Sequence, residues 1–138
     1  MTWWMYAFAS ALAASATAIL AKVGVKDVPS NLATAVRTAV VLVFAWGIVL
    51  AHRDYRALRD IDSRSVLFLV LSGIGTGVSW LAYFKALQMA PASRVAPIDK
   101  LSLAFTVVLA AVLLGESISW KLAAGATLMV AGALLTLF

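Results

Sequence analysis

The chain has 138 residues, of which 64% are hydrophobic and only 12% are charged. A soluble domain is about 45–50% apolar and needs more charge to cover its surface, so most of this surface must face lipid. The chain has no cysteine and one histidine, which excludes a disulfide scaffold, a thiolate metal site and a histidine-rich metal site. The net charge of +5 comes from basic residues that flank apolar runs. We therefore expect anionic lipid headgroups, and not nucleic acid, as their partners.

A membrane-spanning helix needs roughly 20 mostly apolar residues. The runs do not alternate apolar and polar residues as barrel strands would. The pattern predicts an all-α, polytopic membrane protein with one transmembrane domain over residues 1–138. The first run is long enough to span and lacks a basic n-region, so we interpret it as a retained helix and not a signal peptide. The five predicted spans are residues 3–21, 32–51, 65–84, 92–114 and 118–138.

The predicted breaks between spans contain residues that begin or end helices. Pro29-Ser30-Asn31 and Asp62-Ser63 are expected to cap the second and third helices. Pro91 is expected to open the fourth helix, and Gly115 to close it. Residues 52–64 are short and highly charged, which predicts an interfacial turn of helix.

The distribution of lysine and arginine leaves the orientation open. The N-terminal side carries five of these residues and the opposite side carries six. Since cytoplasmic loops normally carry the excess of positive charge, balance favours a dual-topology protein that inserts both ways and pairs antiparallel. The alternative is that the dense arginine cluster between residues 53 and 64 alone holds that side in the cytoplasm.

Polar residues align on single faces of three predicted helices, at the i, i+3, i+4 and i+7 spacings that share a helix face. They predict a cavity lined by the first, third and fourth helices. The alternative is that these hydroxyls bond only to the backbone or to a neighbouring helix. The candidates are Tyr6 and Ser10 on the first helix, Ser72, Thr76, Ser79, Trp80 and Tyr83 on the third, and Asp99, Ser102 and Thr106 on the fourth.

The fifth helix carries a row of small residues, which lets helices approach closely. Two interpretations stay open for this row, a contact between subunits and packing within one subunit. The residues are Ala123, Thr127 and Ala131, with Gly125 and Gly132 one heptad apart.

Ionisable residues fall inside the predicted spans, where they usually pair or line a watery cavity. Arg37 lies about 7–8 Å inside the second span, and Asp99 is expected to pair with Arg37 or Lys100. Lys85 and Lys100 are candidates for charge or gating roles, although snorkelling to headgroups is the favoured explanation for both. Pro97 would free a backbone carbonyl, and broken helices often build binding sites.

No catalytic, metal or cofactor constellation is visible in the sequence. There is no Ser/His/Asp set and no pair of carboxylates on one helix face. The glycines at 73, 75 and 77 lack the preceding strand that a dinucleotide fingerprint requires. The chain is therefore not expected to be an enzyme.

Several motifs together resemble the EamA-type repeat of the drug/metabolite transporter superfamily. They are Arg37 early in the second span, the stretch Trp80-Leu-Ala-Tyr83-Phe84-Lys-Ala86-Leu87, the stretch Ala92-Ser93-Arg-Val95-Ala96-Pro97-Ile98, and Leu113-Leu114-Gly115-Glu116. The resemblance covers nearly the whole chain but only one repeat, whereas most relatives carry two repeats of opposite topology.

This resemblance implies a transporter of small metabolites, such as amino-acid-like or other organic solutes, that works by alternating access across a central cavity. A single five-helix repeat implies an antiparallel homodimer in the inner membrane of a prokaryote. One alternative is an accessory or structural subunit that pairs with a different five-helix protein. Another is an exporter like the small multidrug resistance proteins, but the first span lacks the carboxylate on which those proteins rely.

Overall fold

The computed structural model describes residues 2–138, and within that range every regular element is helical. This confirms the all-helical prediction. The α-helices are α1 (Trp3–Gly24), α2 (Ser30–His52), α3 (Ser63–Met89), α4 (Ala92–Asp99), α5 (Leu101–Leu114) and α6 (Trp120–Leu135), with a 3₁₀ helix over Asp54–Asp60 between α2 and α3. The turn of helix expected within residues 52–64 is thus present, with 3₁₀ geometry.

Four segments of the described chain are long and apolar enough to cross a membrane. They are α1, α2, α3 and the combined segment Ala92–Leu114. The last helix, α6, is apolar but has only 16 residues. At 1.5 Å per residue it is about 24 Å long, which is shorter than the roughly 30 Å hydrocarbon core of a bilayer.

The helices begin and end differently from the sequence prediction in several places. The third helix runs to Met89, five residues beyond the predicted end, because Lys85 and the residues after it are good helix formers. The predicted side-chain cap at Pro29-Ser30-Asn31 is wrong. Pro29 occupies the N-cap position without a side-chain hydrogen bond, and Ser30 already lies inside α2.

Asp62 caps α3 as predicted. Its carboxylate accepts hydrogen bonds from the side chain and backbone of Ser65, three residues further on, and these bonds hold the pKa of Asp62 below its usual value. The cap satisfies backbone donors that the first turn of the helix cannot bond internally.

The fourth span is broken into α4 and α5 at Lys100. Pro97 lies inside α4 and has no N–H, so it cannot donate to the carbonyl of Ser93 one turn earlier. The Lys100 N–H bridges the discontinuity by donating to the carbonyls of Ala96 (3.3 Å) and Pro97 (3.1 Å). Gly115 ends α5 at φ +71°, as predicted, and the Glu116 N–H closes the turn on the Ala110 carbonyl at 3.3 Å.

The described chain forms two compact units. One unit is residues 23–88, in which α2 packs against the 3₁₀ helix. The other is residues 2–22 with 89–138, in which α4, α5 and α6 pack against one another. The buried apolar residues are few (Ala18, Val25, Phe84, Leu87 and Ala133), and most large apolar side chains are exposed. This distribution is the reverse of a soluble domain and suits a protein whose surrounding solvent is lipid.

Candidate functional site

Arg37 makes the most specific side-chain contact in unit 23–88. It lies two turns into α2, about 10 Å along the helix axis from Ser30. Its guanidinium carbon Cζ is 4.1 Å from the ring centroid of Trp80 and 5.6 Å from that of Phe84. Both rings belong to α3, so two aromatic side chains of one helix hold the cation of another.

The two rings are positioned by a packed face of α3. Trp80, Phe84 and Leu87 follow the i, i+4, i+7 spacing of one helix face. Phe84 is 3% exposed and Leu87 is fully buried. The ring of Tyr83 meets that of Phe84 edge-on, with centroids 6.4 Å apart, a favourable arrangement for aromatic pairs. Phe84 and Leu87 are therefore held by packing, and they orient the face of α3 that lies under Arg37.

A matching polar face of α2 carries Arg37. Ser30, Thr34 and Arg37 also follow the i, i+4, i+7 spacing, and the two hydroxyl residues are buried. The Thr34 hydroxyl donates to the Ser30 carbonyl at 2.9 Å, and the Thr38 hydroxyl donates to the Thr34 carbonyl at 2.8 Å. The hydroxyl protons of these threonines are thus satisfied by their own helix.

This arrangement leaves Arg37 able to bind an anion. A contact with a ring face does not use the five N–H donors of a guanidinium, which lie in its plane. Within residues 23–88 no carboxylate forms an ion pair with Arg37. A carboxylate or phosphate can therefore approach the edge of the guanidinium and accept two parallel hydrogen bonds.

Gln88 holds the connection that leads into α2. Its Nε2 donates to the carbonyl of Val28 at 2.6 Å and to that of Val25 at 3.3 Å. Val25 itself is 1% exposed. The residues before Ser30 are thereby tied to the last turn of α3, which sets where α2 begins and hence where Arg37 lies.

Asp99 and Lys100 form a local ion pair in the other unit. The Lys100 Nζ lies 3.1 Å from the Asp99 Oδ2, and the two side chains are 55% and 33% exposed. Of the two partners predicted for Asp99, Lys100 is thus the one that it contacts. The pair lies where α4 ends and α5 begins, at the break that follows Pro97.

The predicted hydroxyl stripes are mostly exposed. Tyr83 and Trp80 are half-buried, whereas the hydroxyl residues earlier on α3 are exposed. The Thr76 hydroxyl donates to the Ser72 carbonyl at 2.9 Å, and the Thr106 hydroxyl donates to the Ser102 carbonyl at 2.8 Å. The hydroxyl proton of each threonine is used in a hydrogen bond to the backbone, so the hydroxyl can only accept a hydrogen bond from a ligand. Exposed as well are Tyr6, Ser10, Ser79, Lys85 and Ser102.

The row of small residues on α6 is also exposed, except for Gly125, which is half-buried. Ala123, Thr127 and Ala131 face outward, while Ala133 is buried. A Cβ added at Gly125 or at Gly132 would meet no atom within 4 Å. The row is therefore available for a contact outside the protomer, and that contact stays a prediction.

Three contributors to this arrangement were missed by the sequence analysis. Thr34 and Phe84 could have been identified from the sequence, because each shares an i, i+4, i+7 helix face with a residue already singled out there. Thr34 shares its face with Arg37, and Phe84 shares its face with Trp80. Gln88 carried none, since its two carbonyl partners lie some sixty residues away in the chain. No group of three or more potential metal ligands occurs among residues 2–138.

Comparison with known proteins gives two matches. The model of the EamA-like transporter family matches residues 1–138. A protein described as an "Uncharacterized transporter in cobO 3'region", from Sinorhizobium sp, is 43% identical over 134 residues, which is 97% of this chain and 95% of the relative. No solved structure matches the chain.

Proposed function

The chain belongs to the EamA-like transporter family and is a multi-pass membrane transporter, and we propose that it carries small organic solutes bearing a carboxylate. The observation behind this substrate class is the position of the Arg37 guanidinium, whose Cζ lies 4.1 Å from the Trp80 ring centroid and which forms no ion pair within residues 23–88. Amino-acid-like metabolites fit this chemistry, because their carboxylate can pair with the guanidinium while an apolar part stacks on the half-buried ring of Trp80.

The proposal includes five spans, with α6 as the fifth. Although α6 is about 24 Å long, apolar Ile118 precedes it and Leu137 and Phe138 follow it. A short span is accommodated by local thinning of the bilayer or by oligomerisation. Five spans place the two termini on opposite sides of the membrane, whereas four would place them on the same side.

An odd number of spans supports an antiparallel homodimer as the transporting form. Two copies of opposite orientation form an inverted repeat, the architecture in which a central site alternates between the two sides. The nearly balanced lysine and arginine count favours insertion in both orientations. The exposed hydroxyls of α3 and α5 and the exposed row on α6 supply polar and small-residue faces for a second copy.

A reconstituted solute panel tests the substrate class. Purified protein in liposomes is assayed for exchange of labelled carboxylates, zwitterionic amino acids, amines and uncharged analogues. We expect exchange only of solutes that carry a carboxylate, and loss of that exchange in Arg37→Gln. The control is Arg94→Gln, which removes a positive charge at an exposed position. Exchange of amines alone would instead favour an exporter of cations and would refute the proposal.

Labelling of the termini tests the topology separately. Because the chain has no cysteine, single cysteines at Thr2 and at Phe138 can be probed with a membrane-impermeant maleimide in intact cells. Dual topology predicts partial labelling at both positions. Labelling of only one terminus would indicate five spans in one fixed orientation. If both termini are fully labelled, or both are fully protected, the protein has four spans. Co-purification of a different five-helix protein in equal amount would replace the homodimer with an accessory-subunit role.

A further inference from the structure

The 3₁₀ helix Asp54–Asp60 has a sequence period that matches its geometry. A 3₁₀ helix has three residues per turn, so residues three apart lie directly above one another, and runs longer than three or four residues are uncommon. This run has seven residues. Such a regular segment in a short connection requires a physical reason.

The period of three sorts the side chains of the helix, together with its flanking residues Arg53 and Ile61, into three stripes. One stripe is basic, one is apolar and one is acidic, with Ala57 between its two carboxylates. In that order the stripes are Arg53, Arg56 and Arg59; Tyr55, Leu58 and Ile61; and Asp54, Ala57 and Asp60.

The apolar stripe is uncovered in the protomer. Tyr55, Leu58 and Ile61 are 40%, 53% and 39% exposed, and the 3₁₀ helix has no buried residue. Tyr55 and Leu58 lie on one face of the 3₁₀ helix, and Ile61 follows directly after the helix in extended backbone. Exposed apolar side chains clustered in this way indicate a contact with an apolar phase or partner.

The position of the segment identifies that phase as lipid. It connects α2 to α3, and both of these helices are candidate membrane spans. Both ends of the connection therefore lie at the same membrane surface, within a few residues of the hydrocarbon. A segment in this position with one apolar and one basic face lies in the plane of the interface.

Charge complementarity gives the lipid class. Residues 53–61 contain three arginines and two aspartates, so the net charge of +1 attracts a membrane only weakly. Attraction to the membrane depends instead on the placement of the positive and the negative side chains on different faces of the segment. With the apolar stripe in the acyl region, the arginines beside it reach the phosphate layer, while the acidic stripe on the other side turns to water.

We propose that residues 53–61 form an interfacial anchor that binds anionic phospholipid headgroups through Arg56 and Arg59, with Leu58 inserted among the acyl chains. The anchor fixes the depth of the turn between α2 and α3. This surface is distinct from the Arg37 site and does not depend on the substrate class proposed above.

A cysteine scan tests the depth of each stripe. Single-cysteine variants at residues 54–61 carry a spin label in the full-length protein, reconstituted in nanodiscs of phosphatidylcholine with phosphatidylglycerol. We expect accessibility to oxygen to oscillate with a period of three and to peak at Tyr55, Leu58 and Ile61. A flat profile, or peaks at Asp54, Ala57 and Asp60, would overturn the proposal. Low accessibility at Leu58→Cys to both oxygen and a water-soluble relaxant would indicate a protein partner and would also overturn it.

A charge variant tests the headgroup class. With the label at Leu58→Cys, we expect the double variant Arg56→Gln/Arg59→Gln to lose the difference in depth between phosphatidylcholine alone and the mixture with phosphatidylglycerol. The control Lys26→Gln/Arg94→Gln removes the same charge at exposed positions elsewhere and should keep that difference. Equal depth in the two lipid compositions with the native arginines would refute the anionic preference. Retained helicity of each variant shows that it is folded.

Discussion

Two basic residues inside candidate spans, Arg37 and Lys100, are held in opposite ways. Arg37 is half-buried and contacts two rings on another helix, forty or more residues away in the chain. Lys100 is exposed and pairs with Asp99, its neighbour in sequence. A local carboxylate cancels the charge of Lys100, whereas an aromatic face holds Arg37 in place without neutralising it. Position in a span alone therefore does not identify a binding residue. The side chain that contacts the basic residue decides whether its charge remains available to a ligand.

The largest expected effect is from Arg37→Gln. The substitution removes a charge-assisted hydrogen-bond donor, which typically contributes about 1.5–3 kcal/mol, so we expect substrate affinity to fall about 10- to 100-fold. Arg37→Lys should recover little, because an ammonium neither stacks on a ring nor forms the bidentate fork. Titration of substrate against purified protein measures the effect. Native affinity in Arg37→Gln would remove Arg37 from the binding site.

A smaller loss is expected from Trp80→Leu, which deletes the ring under the guanidinium. A cation–π contact contributes about 0.5–2 kcal/mol, so substrate affinity should fall about 2- to 30-fold. Trp80→Phe keeps a ring face and should lie between Trp80→Leu and the native protein. If Trp80→Leu binds as tightly as the native protein, the ring does not position Arg37.

Gln88→Met should reduce stability and not affinity. It removes two hydrogen bonds to the carbonyls of Val25 and Val28, with an expected loss of about 1–3 kcal/mol. Thermal unfolding in detergent measures this loss. Met89→Ala is the matched control, since Met89 is 77% exposed. Equal midpoints for the two variants would show that the bonds of Gln88 do not stabilise the connection.

Breaking the Asp99–Lys100 pair should have little effect. An exposed pair contributes about 0–1 kcal/mol, and both side chains are accessible. We therefore expect Asp99→Asn and Lys100→Gln to keep transport within about twofold of native. A complete loss of transport in Asp99→Asn alone would contradict the contrast between Arg37 and the Asp99–Lys100 pair. It would place this carboxylate in the substrate or proton path.

The smallest effect is expected from the cap at Asp62, and only in acid. Its folded-state pKa is lowered by the bonds from Ser65, so its contribution to stability is present above its unfolded pKa of about 3.9 and is lost as pH falls through the folded value. Asp62→Asn keeps a capping oxygen but does not titrate. Its unfolding midpoint should depend less on pH below about 4 than that of the native protein. Parallel curves for the two proteins would contradict this assignment.

Part of the candidate site was readable from the sequence and part was not. Arg37 and Trp80 each stand out in the sequence, because one is a charge inside an apolar run and the other belongs to a motif shared with the family. Their contact could not be predicted, since they lie on different helices and the rotation of each helix about its axis is set by packing. For Asp99 the sequence named two partners, and the structure shows the adjacent one, Lys100.

Composition, the length of the apolar runs and local motifs were enough to predict a helical chain that lipid surrounds and to indicate the family that it resembles. The packing of the helices is what places the Arg37 guanidinium against Trp80 and Phe84 and ties the residues before α2 to Gln88. Contacts between residues distant in the chain depend on how helices rotate and pack, and no local pattern encodes that rotation.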